Sequence, residues 1–126
     1  MNLRPMLMSD ADFLFELKNY EETRQFAIAT HDEIKKEDHL KWLENNIQYF
    51  QIIDGIAVVR NQDGEISIWV ERGRWGKGIA TFILDILSEK DMTAKIVSGN
   101  IASMRCFINA GFKPVSYQDN YYIFIK

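Results

Sequence analysis

The chain has 126 residues, enough for one domain that buries roughly two-thirds of its unfolded surface and folds without a metal or disulfide. It is 47% hydrophobic and 26% charged, which excludes the charge-rich, aromatic-poor profile of disorder. Its 15 Lys and Arg against 18 Asp and Glu give a formal charge of -3, so a broad basic surface for nucleic-acid phosphates is excluded and no nucleic-acid partner is expected.

Residues 2–7 can pair as a first strand, and Ser9, three residues ahead of Asp12, has the spacing of a helix N-cap box. Phe13, Leu14, Leu17 and Tyr20 then recur at helical spacing. A less regular stretch over 21–31 separates them from a second helix over 36–46, with Leu40, Leu43 and Ile47 as its inner stripe. The period then changes to extended. Residues 49–53, 56–60 and 65–70 are apolar runs broken by Asp54-Gly55 and Asp63-Gly64, the punctuation of an antiparallel meander. A basic, glycine-rich loop over 72–78 leads into a helix reaching Lys90, whose inner face is read as Ile79, Phe82, Ile83, Ile86 and Leu87. Residues 93–97 read as a buried strand and 103–110 as a short helix stopped by Gly111. Residues 112–125 read as a terminal strand pair turning near Asp119-Asn120. The order is β-α-α-β-β-β-α-β-α-β-β, without repeat or linker, and residues 1–126 are read as a single domain.

The only cysteine, Cys106, rules out an internal disulfide, gives no metal-ligand spacing and fits a reducing compartment; it is read as a small buried hydrophobe and not as a nucleophile. No bound metal is expected. The first twelve residues carry acidic groups and no apolar core of signal-peptide length, and no run approaches the roughly 20 apolar residues of a membrane span. The expectation is a cytoplasmic protein that is neither exported nor membrane-inserted.

Arg74-Trp75-Gly76-Lys77-Gly78-Ile79-Ala80 lies between a strand and a helix, where backbone N–H groups converge at the positive end of the helix dipole and attract anions. Gly76 and Gly78 lack a Cβ and let phosphate oxygens approach the backbone, while Arg74 and Lys77 add charge at the rim. A turn whose glycines merely start a helix is the alternative. The spacing is neither G-x-G-x-x-G nor a P-loop, so NAD and ATP are poor candidates.

About twenty residues later comes Asn100-Ile101-Ala102-Ser103, which runs through to Gly111-Phe112. Together the two segments resemble the linked motifs of the GNAT superfamily of N-acetyltransferases. Gly78 and Ala80 match the first motif, with Trp75 in place of its Arg or Gln, and the wording is similar to the ribosomal-protein N-terminal and amino-sugar acetyltransferase branch. Asn100, Ala102, Ser103, Gly111 and Phe112 match the second.

The resemblance spans nearly the whole chain. It implies an α/β (α+β) fold with a mixed, mostly antiparallel, splayed sheet of about seven strands and about four helices. The strands ending at Val70 and near Val97 would diverge to admit the pantetheine arm of acetyl-CoA. Backbone groups of Trp69 and Val70 would bond that arm, the amides from Gly76 to Ala80 would hold the pyrophosphate, and Asn100 and Ser103 would reach the pantetheine and the sulfur. Asn100 equally reads as a simple N-cap and Ser103 as a first-turn helix serine.

The implied reaction passes the acetyl group directly to a primary amine. The Val70 N–H is the candidate oxyanion donor and Glu71 the candidate base, though a solvated loop acid is an equal reading of Glu71. Where many members of the superfamily carry a tyrosine acid this chain has Phe107, which leaves Ser103, Tyr117, Tyr121, Tyr122 or water. Asn19, Glu22, Arg24, His39 and Trp42 lie in or beside the segment expected to overhang the acceptor. The series Arg24, Ile34, His39, Trp42 resembles enzymes that acetylate amino groups of nucleotide-linked sugars, which makes Arg24 and His39 substrate-binding candidates; a helix-surface pair and a solvated cation are the alternatives. The expected partner is a small-molecule amine, with the chain a monomer or homodimer. A protein N-terminal acetyltransferase and a catalytically silent acyl-CoA-binding module stay open.

Overall fold

The computed structural model describes residues 1–28, 31–87 and 91–126. A 3-10 turn, Met8–Asp10, follows strand β1, Arg4–Pro5, and leads into helices α1, Ala11–Asn19, α2, Glu21–Gln25, and α3, Lys36–Asn46. Next come the meander β2, Phe50–Ile53, β3, Ala57–Gln62, and β4, Glu65–Val70. The chain continues with α4, Ile79–Leu87, β5, Thr93–Val97, α5, Ile101–Asn109, and the hairpin β6, Lys113–Gln118, with β7, Tyr121–Ile125.

The seven strands form one sheet in the order β1-β2-β3-β4-β5-β7-β6, antiparallel throughout except for the parallel pair β4–β5. This is the mixed, mostly antiparallel sheet that was expected. Both Asp-initiated two-residue turns are where the sequence places them. Gln62 faces Glu65 across Asp63-Gly64, and Gln118 faces Tyr121 across Asp119-Asn120.

Each face of the sheet carries its own core. On one side α4 and α5 bury Ile79, Ile83, Leu84 and Phe107 against Val59, Ile66, Ala94, Ile96 and Phe124. On the other, α1 and α3 bury Leu14, Leu17 and Leu43 against Phe50, Ile52 and Val58. Full burial of such side chains contributes about 1.5–3 kcal/mol each.

Several elements differ from the sequence reading. The first strand is two residues long instead of covering 2–7. No Ser9 cap forms; Asp10 accepts a hydrogen bond from the Leu7 N–H at 2.9 Å and is paired with Arg4, which sets the entry of α1. The 21–31 stretch contains the short helix α2. α5 begins at Ile101, two residues early, because Asn100 caps it. In α4 the inward residues are Ile79, Ile83 and Leu84, whereas Phe82 and Ile86 lie on an exposed flank. The helix end expected near Lys90 lies outside the described residues. Among those described, no helix is long and apolar enough to cross a membrane.

Candidate functional site

β4 and β5 share a single register pair, Glu65 with Thr93, although each strand continues for several residues beyond it. The two edges therefore diverge toward Val70 and Val97, and the sheet opens there. Backbone parity decides what the edges offer. The Glu71 N–H donates to the Ile56 C=O at 2.8 Å, and the Thr93 N–H donates to the Gly64 C=O at 2.8 Å. With alternation along the strand, Glu65, Ser67 and Trp69 turn their peptide groups to β3, while Ile66, Ile68 and Val70 turn theirs to the cleft. The expectation for Trp69 is corrected: its backbone is paired with β3 at Val58, and Ile68 takes its place beside Val70. Sequence alone could have found Ile68 only with the register in hand.

At the wide end of the opening sit two helix starts. Gly76 and Gly78 have φ of 74° and 77°, and a Cβ added to either would meet no atom within 4 Å. The left-handed backbone at these two glycines thus borders open space, where an anion has room to approach the chain. The Gly78 C=O accepts the Phe82 N–H at 2.9 Å, so α4 propagates from this residue. Across the opening, the Val97 C=O accepts the Asn100 N–H at 3.0 Å and Asn100 Oδ1 accepts the Ser103 N–H at 3.4 Å. Asn100 is thus an N-cap in geometry, and Ser103 is half-buried in the first turn.

The loop is braced from both sides. Glu71 Oε1 accepts the Gly73 N–H at 3.0 Å and its Oε2 lies 3.9 Å from Arg74 Nε, so this carboxylate caps the 3-10 turn Arg72–Arg74. The candidate base is therefore engaged in holding its own loop. Trp75 Nε1–H donates to the Val70 C=O at 2.8 Å, and its ring meets Tyr20 edge-on at 6.0 Å between centroids. Arg72 lies 4.2 Å above the Tyr20 ring and pairs with Glu22 at 2.9 Å. The segment after α1 thereby packs on the phosphate-type loop, and Lys77 stays exposed.

The acceptor candidates divide. Arg24 Nε donates to the Asn19 C=O at 3.3 Å and Nη1 to the His31 C=O at 3.2 Å, while Asn19 bonds both backbone groups of Ile34. Arg24 and Asn19 are braces of the α1–α3 connection. His39 lies inside the protein. It is 2% exposed, its Nε2 lies 3.3 Å from the Ala11 C=O, and its ring packs against Phe15 and Trp42. Burial and the nearby Lys18 ammonium hold its pKa below the ordinary 6.5, against the opposite pull of the Ala11 carbonyl and Asp12.

Because the unfolded chain then binds the His39 proton more readily than the folded one, stability rises with pH across the window below 6.5 and is lost as pH falls through it. Urea unfolding at about pH 7.5 and about pH 5.5 is expected to show a larger acid-side loss for the wild type than for His39→Phe. Equal losses would contradict this account of His39.

Phe107 is buried and packs edge-on against Phe112 at 5.0 Å, within the core. Of the hairpin tyrosines, Tyr121 accepts a 2.6 Å hydrogen bond from Gln118, and Tyr122 meets Tyr117 at a tilt, with ring centroids 4.7 Å apart. Cys106 is half-buried.

No protein-family pattern and no curated protein matches the chain. Solved structures do. A domain from Methanocaldococcus jannaschii has a TM-score of 0.80 at 20% identity, covering 98% of this chain and 95% of that one. The aminoglycoside acetyltransferase AAC(6')-Ib, solved with acetyl-CoA and paromomycin, has 0.72 at 17%, covering 98% and 90%. Ribosomal-protein-alanine N-acetyltransferase from Brucella melitensis has 0.72 at 19%, covering 98% of each. The chain therefore has the GNAT fold, as its two motifs implied.

Proposed function

We propose that residues 1–126 act as one acetyl-CoA-dependent N-acetyltransferase that passes the acetyl group directly to a primary amine. One observation carries the reading: two parallel strand edges part beyond a single register pair, and a helix start with open, left-handed glycines stands at the wide end. An extended pantetheine arm fits as an added strand against Ile68 and Val70, and a pyrophosphate fits the amides of Gly76 to Ala80. In the fold likenesses, AAC(6')-Ib was solved with acetyl-CoA, which supports the same ligand here.

When bound, the coenzyme supplies a thioester whose carbonyl carbon the amine attacks. The chain's own part is largely positional. The Val70 N–H faces the cleft and is a fixed donor for the oxygen that gains charge on attack; one such donor contributes typically about a hundredfold to a thousandfold. The Val70 C=O is held by the Trp75 indole, so an arm pairing at this residue shares or displaces that bond. Ser103, half-buried one turn into α5, is the candidate hydroxyl for the departing sulfur. With Glu71 engaged as a cap, the amine proton leaves through water or through Glu71 after the Gly73 bond opens.

Among the small molecules, an amine on a nucleotide-linked sugar is the starting candidate from the sequence. The buried Phe107 and the capping Glu71 favour a second reading, a coenzyme-binding module without turnover. Thiol release from acetyl-CoA across pooled amino sugars, polyamines, amino acids and peptides separates the two. Release with at least one pool is expected. Coenzyme binding with none would favour the silent module.

A further inference from the structure

Where β4 and β5 part, the sheet face on the α1 and α3 side is lined by side chains that alternate away from the α4 core. Lys18 Nζ sits 4.0 Å over the Trp42 ring and 5.9 Å from the Trp69 ring. Arg60 stands on β3 directly opposite Ser67, two residues from Trp69 on β4. Lys95 on β5 pairs with Glu65 at 3.1 Å and lies 6.0 Å from the Tyr121 ring. The Arg60 charge reaches both lysines: burial and that repulsion pull Lys18 down to about 8, whereas the Glu65 carboxylate holds Lys95 above its ordinary value against the repulsion. Among the described residues, three cations thus share this face with the Glu65 carboxylate, in a chain whose net charge is -3.

Among the described residues, neither Lys18 nor Arg60 has a carboxylate within ion-pair distance, and Arg60 Nε is a buried donor without a partner. Among the described residues, Arg60 Nη2 donates to Gln62 Oε1. Desolvated donors without acceptors are costly and are most often met by a ligand or water. A guanidinium presents a planar fork suited to a carboxylate or a phosphate.

We propose that the acceptor amine carries an anionic group, a carboxylate or a phosphate, which Arg60 binds with Lys18 and Lys95 on the face beside Trp69. The inference rests on the acetyl-transfer reading and names the substrate class of that site. The same charges disfavour polycationic acceptors such as kanamycin.

The test is thiol release at saturating acetyl-CoA with glycine against glycinamide, glucosamine 6-phosphate against glucosamine, and kanamycin, the two pairs telling a carboxylate from a phosphate. At least a tenfold higher kcat/KM is expected for the anionic member of one pair. Arg60→Gln and Lys95→Gln should shrink that preference by raising KM, with the coenzyme Kd unchanged, whereas a merely structural role would lower both members of the pair alike. Equal rates within both pairs, a preference for the neutral amines or for kanamycin, parallel losses in the variants, or no release from any of these amines while coenzyme still binds would each overturn the proposal. Absence of coenzyme binding would instead remove the acetyl-transfer reading beneath it.

Discussion

Replacing Gly78 with Val is expected to raise the dissociation constant for acetyl-CoA at least about a hundredfold while lowering stability by only about 1–2 kcal/mol. The two effects have different origins. Gly78 has φ of 77°, a conformation that a side chain with a Cβ adopts at a cost of roughly 1–2 kcal/mol and a β-branched one less willingly still. Crowding at the Cβ adds nothing to that cost, since a Cβ built there meets no atom within 4 Å. The same open space is the approach to the first amides of α4, so two methyl groups placed in it would stand between the phosphates and their donors. Calorimetric affinity and thermal unfolding on the same variant check both halves. A stability loss as severe as the binding loss would reduce the glycine to a turn former.

Ser103→Ala is expected to lower turnover by about a hundredfold with the coenzyme Kd nearly unchanged, because a hydroxyl that steadies a departing thiolate acts in the transition state. The geometry sharpens the expectation. Phe107, at the position where the resemblance places a phenolic acid, is buried against Phe112. Tyr121 engages Gln118 through its hydroxyl, which leaves Tyr122 and Tyr117 as the other phenols of the hairpin. Steady-state kinetics beside a binding isotherm decide it. A loss well below tenfold would make Ser103 only a helix-start residue, and a large loss in Tyr117→Phe, Tyr121→Phe or Tyr122→Phe would move the acid to the hairpin.

What the sequence made legible depends on how local its cause is. Asp63-Gly64 and Asp119-Asn120 are turns because of their own residues, and both hairpins close there. α3 spans Lys36–Asn46 as read, since its apolar spacing allows no other period. In α4 the neighbouring faces are both apolar, so periodicity could not tell that Ile79, Ile83 and Leu84 point inward and Phe82 and Ile86 do not. α2 is five polar-faced residues, too short to leave a pattern.

The site was legible where it is made of backbone and obscure where it is made of side chains brought from afar. The glycine loop and the Asn100 turn carry their geometry in adjacent residues. Which peptide groups face the cleft depends on the β3–β4 register, and a shift of one residue exchanges Trp69 for Ile68 and Val70. His39 is buried by Phe15, from another helix, together with Trp42. Lys18, Arg60 and Lys95 come from a helix and two strands, and no spacing in the sequence announces that they share a face.

The central claim is that the parted strands and the glycine loop form a coenzyme site, and a calorimetric titration of the full chain with acetyl-CoA tests it most directly. Saturable heat with about one site per chain is predicted, with desulfo-CoA competing because the pantetheine and phosphate contacts do not need the thioester. No heat and no rise in melting temperature at millimolar acetyl-CoA would contradict it.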